Sequence, residues 1–349
     1  MIIYLINILL LFIWKLIFLN ENSKNGKKIF VFLGSIQWFI LSAFRDLNIG
    51  DDTQRYGMMF YQETARTWSQ TFSDSYNILT GVTKGKDIGF MFFQKLCASI
   101  NGDYRFMLIV IAALLATSLG VFIYRNSVDP FFSFLLFSCL FYSFFAITGE
   151  RQTIATSLVI FFGYELIKKR KLVKFLIIVF FAALIHKSCL VCIPLYFLIN
   201  KKITNLYLLC IAATAMICFF FRDALFSFLA SGTGYESYST YTTGGYTFTT
   251  MFLVVAALAI MFKNNMLNSN NEQATHFINA LMLALCVLPL TFSNPNAMRI
   301  VQYFSAFLML LIPLILQSFE NRYRLFLTFS GEILLVVLFA LQNPVYYFM

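Results

Sequence analysis

Apolar and polar positions along this chain segregate on the scale of whole helices. Run after run is greasy for roughly the 20 residues a helix needs to cross about 30 Å of hydrocarbon. "FMLIVIAALLATSLGVFIY" at 106–124 is one such run, and "RIVQYFSAFLMLLIPLILQ" at 299–317 is another. The pattern predicts about twelve transmembrane helices. They fall at 2–19, 29–44, 106–124, 131–147, 152–167, 172–186, 188–200, 203–221, 248–263, 276–293, 299–318 and 325–342. The stretch 88–100, "IGFMFFQKLCASI", is short for a span and is expected to be re-entrant or surface-lying. The pair 172–186 and 188–200 is also short, and reads as two stubby helices meeting at His186. Broken helices are tolerated in a bilayer where they line a water-filled cavity. The first run, from Ile2, has no basic leader and no small-residue cleavage site, so it is expected as a retained span.

Composition strengthens this picture. The chain has 349 residues, is 60% hydrophobic with 43 Phe, and carries only 12% charged residues. A soluble core cannot use that much apolar surface. The expected fold class is all-α, a polytopic integral membrane protein of one domain over 1–349. The net charge of +10 implies orientation rather than nucleic acid, because basic residues in short loops mark the cytoplasmic side. "KKRKLVK" (168–174), "NSKNGKK" (22–28) and "NKK" (200–202) are therefore expected in the cytoplasm, with both termini outside. That leaves a long outer loop at 45–105 and a second, polar one at 222–247. Three tight outer turns carry Glu150 and Arg151, His186 and Lys187, and Arg299. Long outer loops and ionisable residues at helix mouths are where function concentrates.

The charges at those places narrow the chemistry. "AFRDLNIGDDTQRY" (43–56) spends five charges, Arg45, Asp46, Asp51, Asp52 and Arg55, directly after an apolar run. Arg151 and Arg299 each sit at an expected helix start. A cation there opposes the macrodipole by about 0.3–1 kcal/mol, whereas an anion held between the Arg and the free N–H groups of the helix start is favoured. Snorkelling to headgroups, or pairing of Arg151 with Glu150, is the plainer reading of either residue alone. With Arg45, three arginines gather on one face, and Arg suits bidentate phosphate contact. His186 is one of two His and can act as a general base near neutrality. Asp51 and Asp52 can pair with Arg55 and Arg45, and one of them can serve as a base. Two adjacent Asp without further ligand spacing are a weak metal signal. His276 is expected to be structural, at a helix start. Cys189 and Cys192 form a lone CxxC read as small core residues.

Taken in order, several of these segments resemble a known family. "FRDLNIGDDTQRY" resembles the R…G-x-D-x-x-x-Y signature of the EpsG-like, Wzy-type polysaccharide polymerases. "KDIGFMFFQKL" is similar to that family's E-x-G-F segment, with Asp87 where Glu is usual. "ERQTIATSL" is similar to its R-Q-x-I-A helix start, "HKSCLVCIPLYFL" to its H-x-S-hydrophobic segment, and "MRIVQYF" to a late R-x-x-x-Y. The resemblance covers most of 40–305. It implies a glycosyltransferase-C-like fold and an enzyme at the outer face of the bacterial cytoplasmic membrane. Such an enzyme transfers a growing glycan from undecaprenyl diphosphate onto the next lipid-linked repeat unit, making O-antigen, capsule or exopolysaccharide. It needs no metal and no cofactor. Its partners would be the lipid-linked oligosaccharide, membrane lipid, and a chain-length regulator and flippase of the same pathway. Under this reading Arg151 and Arg299 stabilise charge on the diphosphate, and His186 or Asp52 takes the proton. Arg45, Asp51, Arg55, Tyr56, Asp87, Gln152, Ser188 and Tyr303 would contact substrate.

Two rivals belong to other classes. A flippase for lipid-linked glycans would place charges deep along its spans, whereas here they crowd at helix mouths. A multi-pass acyltransferase for envelope sugars would need residues near the cytoplasmic side, where Lys15 and Glu165 were the candidates.

Overall fold

A computed structural model describes residues 1–20, 25–83, 85, 87–233 and 246–348. The described residues are helical almost throughout, and the one β-bridge, Arg45 to Phe348, is isolated. They divide into two compact units, Met1–Cys189 with Ser330–Met349, and Leu190–Phe329.

The first unit holds α1 (Ile2–Phe18), α2 (Gly26–Ala43), α3 (Thr53–Ala65), α4 (Trp68–Leu79), α5 (Ile88–Ile100), α6 (Tyr104–Asn126), α7 (Pro130–Leu136), α8 (Glu150–Thr156), α9 (Gly163–Lys168) and α10 (Leu172–Ile185). The second holds α11 (Ile193–Leu198), α12 (Asn205–Phe220), α13 (Arg222–Thr233), α14 (Tyr246–Met261), α15 (Lys263–Val287), α16 (Met298–Ser305) and α17 (Leu308–Gln317). The last helix, α18 (Asn321–Gln342), runs across the boundary between them.

Local chemistry explains many of these ends. Asp129 accepts the Phe132 N–H at 3.0 Å, and Pro130 occupies the first helical position of α7. Thr67 and Gln70 form a reciprocal capping box at the start of α4. Between α7 and α9 the chain leaves α geometry three times, with π-helical turns at Phe137–Phe141, Ser143–Ile147 and Ser157–Phe162. They lie on both sides of the turn that ends at Gly149.

Among the described residues three helices are long and apolar enough to cross a membrane: Tyr104–Asn126, Glu272–Phe292 and Asn321–Gln342. Two bent pairs raise this to five. Asn205–Phe220 with Arg222–Leu229 bends by 80°, and Pro295–Ser305 with Leu308–Gln317 by 54°. Six further apolar helices are shorter. The expected spans 131–147 and 152–167 are each one path interrupted by π turns rather than one α-helix. The outer surface is greasy. Leu325, Phe326, Phe329, Leu334 and Leu341 of α18 and Leu206, Leu209, Met216 and Phe220 of α12 are all exposed. In water such continuous apolar faces are rare.

Three expectations change. The long loop 45–105 is not irregular: α3 and α4 occupy much of it, and α5 coincides with the short segment expected at 88–100. Tyr56 and Phe60, one turn apart on α3, are buried against Phe90 of α5 and against Tyr104 and Met107. The polar loop 222–247 begins as helix α13; residues 234–245 lie outside the described residues. The span expected to begin at 276 belongs to a helix that starts at Lys263, so His276 is deep within α15, fully buried beside Asn200.

The packing of α5 on α10 depends on Gly89. A Cβ there would sit 2.7 Å from Leu184 Cβ and 2.9 Å from its backbone C and O. Gly89→Ala is expected to cost about 1–3 kcal/mol in thermal unfolding of the detergent-purified protein. Gly102→Ala, whose Cβ would meet only Thr64 Cγ2 at 3.6 Å, should stay within about 0.5 kcal/mol of wild type.

Candidate functional site

The chain leaves α2 at Phe44, and Arg45 folds back so that its guanidinium donates to the Ser42 carbonyl at the helix C-terminus. A cation is favoured at that end of the macrodipole. The other face of the guanidinium meets Glu150 Oε1 at 3.5 Å. Both side chains are buried. Beyond Arg45 the chain turns at Gly50, with φ of 96°. A Cβ on Gly50 would lie 2.8 Å from the Ile147 carbonyl oxygen, so only glycine gives both the left-handed backbone and the close approach. The turn is closed by Thr53 Oγ1 donating to the Ile49 carbonyl at 2.7 Å.

One turn into α3, Tyr56 is buried with its hydroxyl accepting from Arg151 Nε at 3.1 Å. The Arg151 guanidinium also makes a close ion pair with Asp87 Oδ2. Its carbon lies 5.4 Å from the centre of the Tyr56 ring and 5.8 Å from that of Phe90. Cation–π contact and ion pair together hold its plane. Asp87 immediately precedes α5 in left-handed backbone, φ 59°, a conformation unfavourable for a residue with a side chain. Gln94 Nε2 donates to the Tyr56 carbonyl at 3.3 Å and ties α5 to α3.

Glu150 opens α8 behind the left-handed Gly149. Its Oε1 accepts from the Tyr104 hydroxyl, which also lies 3.1 Å from the Thr53 carbonyl. Its Oε2 is buried with no hydrogen-bond partner. Burial pushes the Glu150 carboxyl up to about 7, against the lowering pull of Arg45 and of the Tyr104 hydroxyl. Burial likewise raises the Tyr56 phenol, opposed by Arg151.

The structure thus draws Arg45, Tyr56, Asp87 and Arg151 into one buried group, with Gln152 buried next to it in α8. His186, buried, caps α10 in extended backbone. Leu184 rests on Gly89, so the His186 end of α10 and the Asp87 end of α5 are neighbours. Ser188 follows in the 3-10 turn Lys187–Cys192 and is half-buried. Asp52 is half-buried at the N-cap of α3, while Asp51 and Arg55 are exposed. Arg299 and Tyr303 belong to the second unit. Arg299 is the second residue of α16 and half-buried, and Tyr303 is fully buried. The pairing differs from the expected one. Arg45 pairs with Glu150 rather than with Asp51 or Asp52, and Arg151 with Asp87 rather than with its chain neighbour Glu150. Tyr104 was not anticipated at all; it stands at the head of an apolar run and gives no signal in the sequence. Among the described residues no three His, Cys, Asp or Glu side chains gather in a metal-binding group.

Because burial raises the folded-state pKa of Glu150 above its ordinary 4.5, the folded protein holds this proton more tightly than the unfolded chain. Its contribution is fully present below about pH 4.5 and is lost as pH rises through about 7. Wild type should therefore lose stability relative to Glu150→Gln between pH 5 and 7.5, by an amount on the order of 1–3 kcal/mol. Melting temperatures of both proteins across that range test this; parallel curves would refute it.

No curated protein and no solved structure matches this chain. The sequence model of the EpsG family does, over residues 28–347. That range takes in every residue of the site just described, from Arg45 to Tyr303. The chain belongs to the EpsG family.

Proposed function

We propose that this protein is a polysaccharide polymerase with about twelve spans in the cytoplasmic membrane of a bacterium. At the outer face it would transfer a growing glycan from undecaprenyl diphosphate onto the next lipid-linked repeat unit. Family membership supports the coarser statement, a polysaccharide-related membrane protein. The observation that carries the finer one is the gathering of separate motif segments around one helix start. Arg45, Tyr56 and Asp87 all attach to Glu150 and Arg151, and the His186 end of α10 packs alongside.

In this reading the acceptor sugar hydroxyl gives its proton to His186 or to Asp52. The freed oxygen attacks the anomeric carbon of the donor. The bond from that carbon to the lipid diphosphate breaks, and the diphosphate leaves with the electron pair. Arg151, its plane already fixed by Asp87 and Tyr56, stabilises the charge growing on the diphosphate oxygens without reorganising. For Arg299, at the start of α16 in the second unit, a role toward the diphosphate rests on the family resemblance of its segment alone. Asp51 and Arg55, exposed beside the Gly50 turn, suit contacts to sugar, as do Gln152 and Ser188; for Tyr303, in the second unit, such a contact rests on the family resemblance alone. No metal or nucleotide enters the scheme, because the bond to be broken is already activated by the lipid diphosphate. Membrane lipid and a chain-length regulator and flippase of the pathway would be its partners.

The deciding experiment is the glycan profile of a deletion strain. Single repeat units accumulating on the lipid at the outer face are expected. Material trapped on the cytoplasmic face would mean transport instead. In the complemented strain Arg151→Lys should lose most polymer, because an ammonium cannot hold Asp87 and Tyr56 together as a guanidinium does. Normal chain length in that variant would reduce Arg151 to packing.

The base is assigned by pH. With His186 as base, the rate of polymerisation of purified lipid-linked repeats should rise through about pH 6.5, and His186→Ala should abolish the rise. With Asp52 as base, the profile is flat near neutrality and Asp52→Asn costs about 10²-fold or more.

A further inference from the structure

A second feature of the first unit lies away from this site. α2 and α6 run side by side and leave a groove of about 550 Å³ between them. Its walls are Val31, Phe32, Ile36 and Phe39 from α2, and Ala113, Ala116, Thr117, Gly120 and Val121 from α6, and they are overwhelmingly apolar. Gly120 lets the two helices approach closely at its floor, because a Cβ there would collide with Ser35 Oγ. Lys28 and Tyr124 stand together at one end, Phe39 and Ala113 at the other. From Lys28 to Phe39 the helical rise amounts to about 16 Å, and the same holds from Tyr124 back to Ala113. That is about half the 30 Å of a hydrocarbon core. The groove is thus one leaflet deep.

Its Lys28 end is basic. Lys28 is exposed, Lys27 lies over the Tyr124 ring at 5.7 Å, and Arg125 and Lys168 follow on the same side. The acidic groups there are Glu165, already held by Arg125 at 3.5 Å and Lys168 at 3.6 Å, and Asp129, which caps α7. Positive charge is in excess.

We infer that the groove between α2 and α6 is a binding site for an anionic glycerophospholipid, one acyl chain lying along Val31–Phe39 and the phosphate at Lys28. The match of groove depth to one leaflet selects a single acyl chain, and the charge at its mouth selects an anionic head. Basic residues at a membrane surface are each worth about 1 kcal/mol toward anionic lipid. The site is separate from the substrate-lipid chemistry above, and rests on the chain being membrane-embedded.

The test is native mass spectrometry of the detergent-purified protein titrated with phosphatidylglycerol or phosphatidylcholine of equal chain length. One lipid should be retained, phosphatidylglycerol at least ten-fold more tightly. Thr117→Phe, which fills the groove from an exposed position, should lose both. Lys28→Glu should keep the chain and lose the preference for the anionic head. Equal retention of the two lipids by wild type, unchanged retention in Thr117→Phe, or a lipid-free dimer that buries this face would each overturn the assignment. Melting curves of both variants establish that they are folded. Solubility of the protein without detergent would instead remove the membrane reading, and is scored separately.

Discussion

Two consecutive side chains of opposite charge, Glu150 and Arg151, hold the first unit together at its polar end. Each takes a buried partner from a different place in the chain: Glu150 takes Arg45 from the end of α2, and Arg151 takes Asp87 from the start of α5. Four charges out of water are tolerable only because each sign is matched. Desolvation is repaid only by good geometry and further hydrogen bonds, here supplied by Tyr104, Tyr56 and the Ser42 carbonyl. Removing one partner strands the other, a penalty of about 3–5 kcal/mol in comparable buried pairs. The excursion from 45 to 87 is fastened at both ends to a single helix start.

The backbone around that start is irregular in a consistent way. Gly50 and Gly149 take left-handed φ, Asp87 does so without being glycine, and π turns end just before Thr148 and begin just after Thr156. Residues in such conformations cost free energy and persist where their surroundings over-determine them. Asp87 is held by Arg151, and Thr148 is held by its N–H and hydroxyl both reaching the Ser143 carbonyl at 2.8 Å. The regular helices of the unit carry apolar packing; the irregular turns carry the polar group.

How legible this was depends on the kind of signal. Helical class and most helix positions follow from apolar runs whose lengths a helix must match, so α1, α2, α6 and α10 lie within a few residues of expectation. Where the apolar run was diluted, as in 45–79, the pattern read as loop although Tyr56 and Phe60 bury one face of α3. The arginines at helix starts were visible because a cation there needs a reason. The partners of Arg151 and Arg45 were not, because Asp87 and Glu150 are each separated from the arginine they meet by a long stretch of chain. Glu332 escaped for a similar reason. It lies in the middle of the apolar helix α18 and meets Lys15 of α1 at 2.6 Å across 317 residues of sequence.

The segment beneath Arg45 sets an order of events. Asp46 N–H donates to the Tyr347 carbonyl at 3.0 Å, and the Tyr346 hydroxyl donates to the Leu41 carbonyl at 2.8 Å across 305 residues. The side-chain partners of Arg45, at Ser42 and Glu150, have been synthesised once Glu150 has been made. The floor of the group has not. In chain order the whole second unit lies between Glu150 and these residues. The contacts of 346–348 with Leu41, Arg45 and Asp46 can form only after that unit has been made.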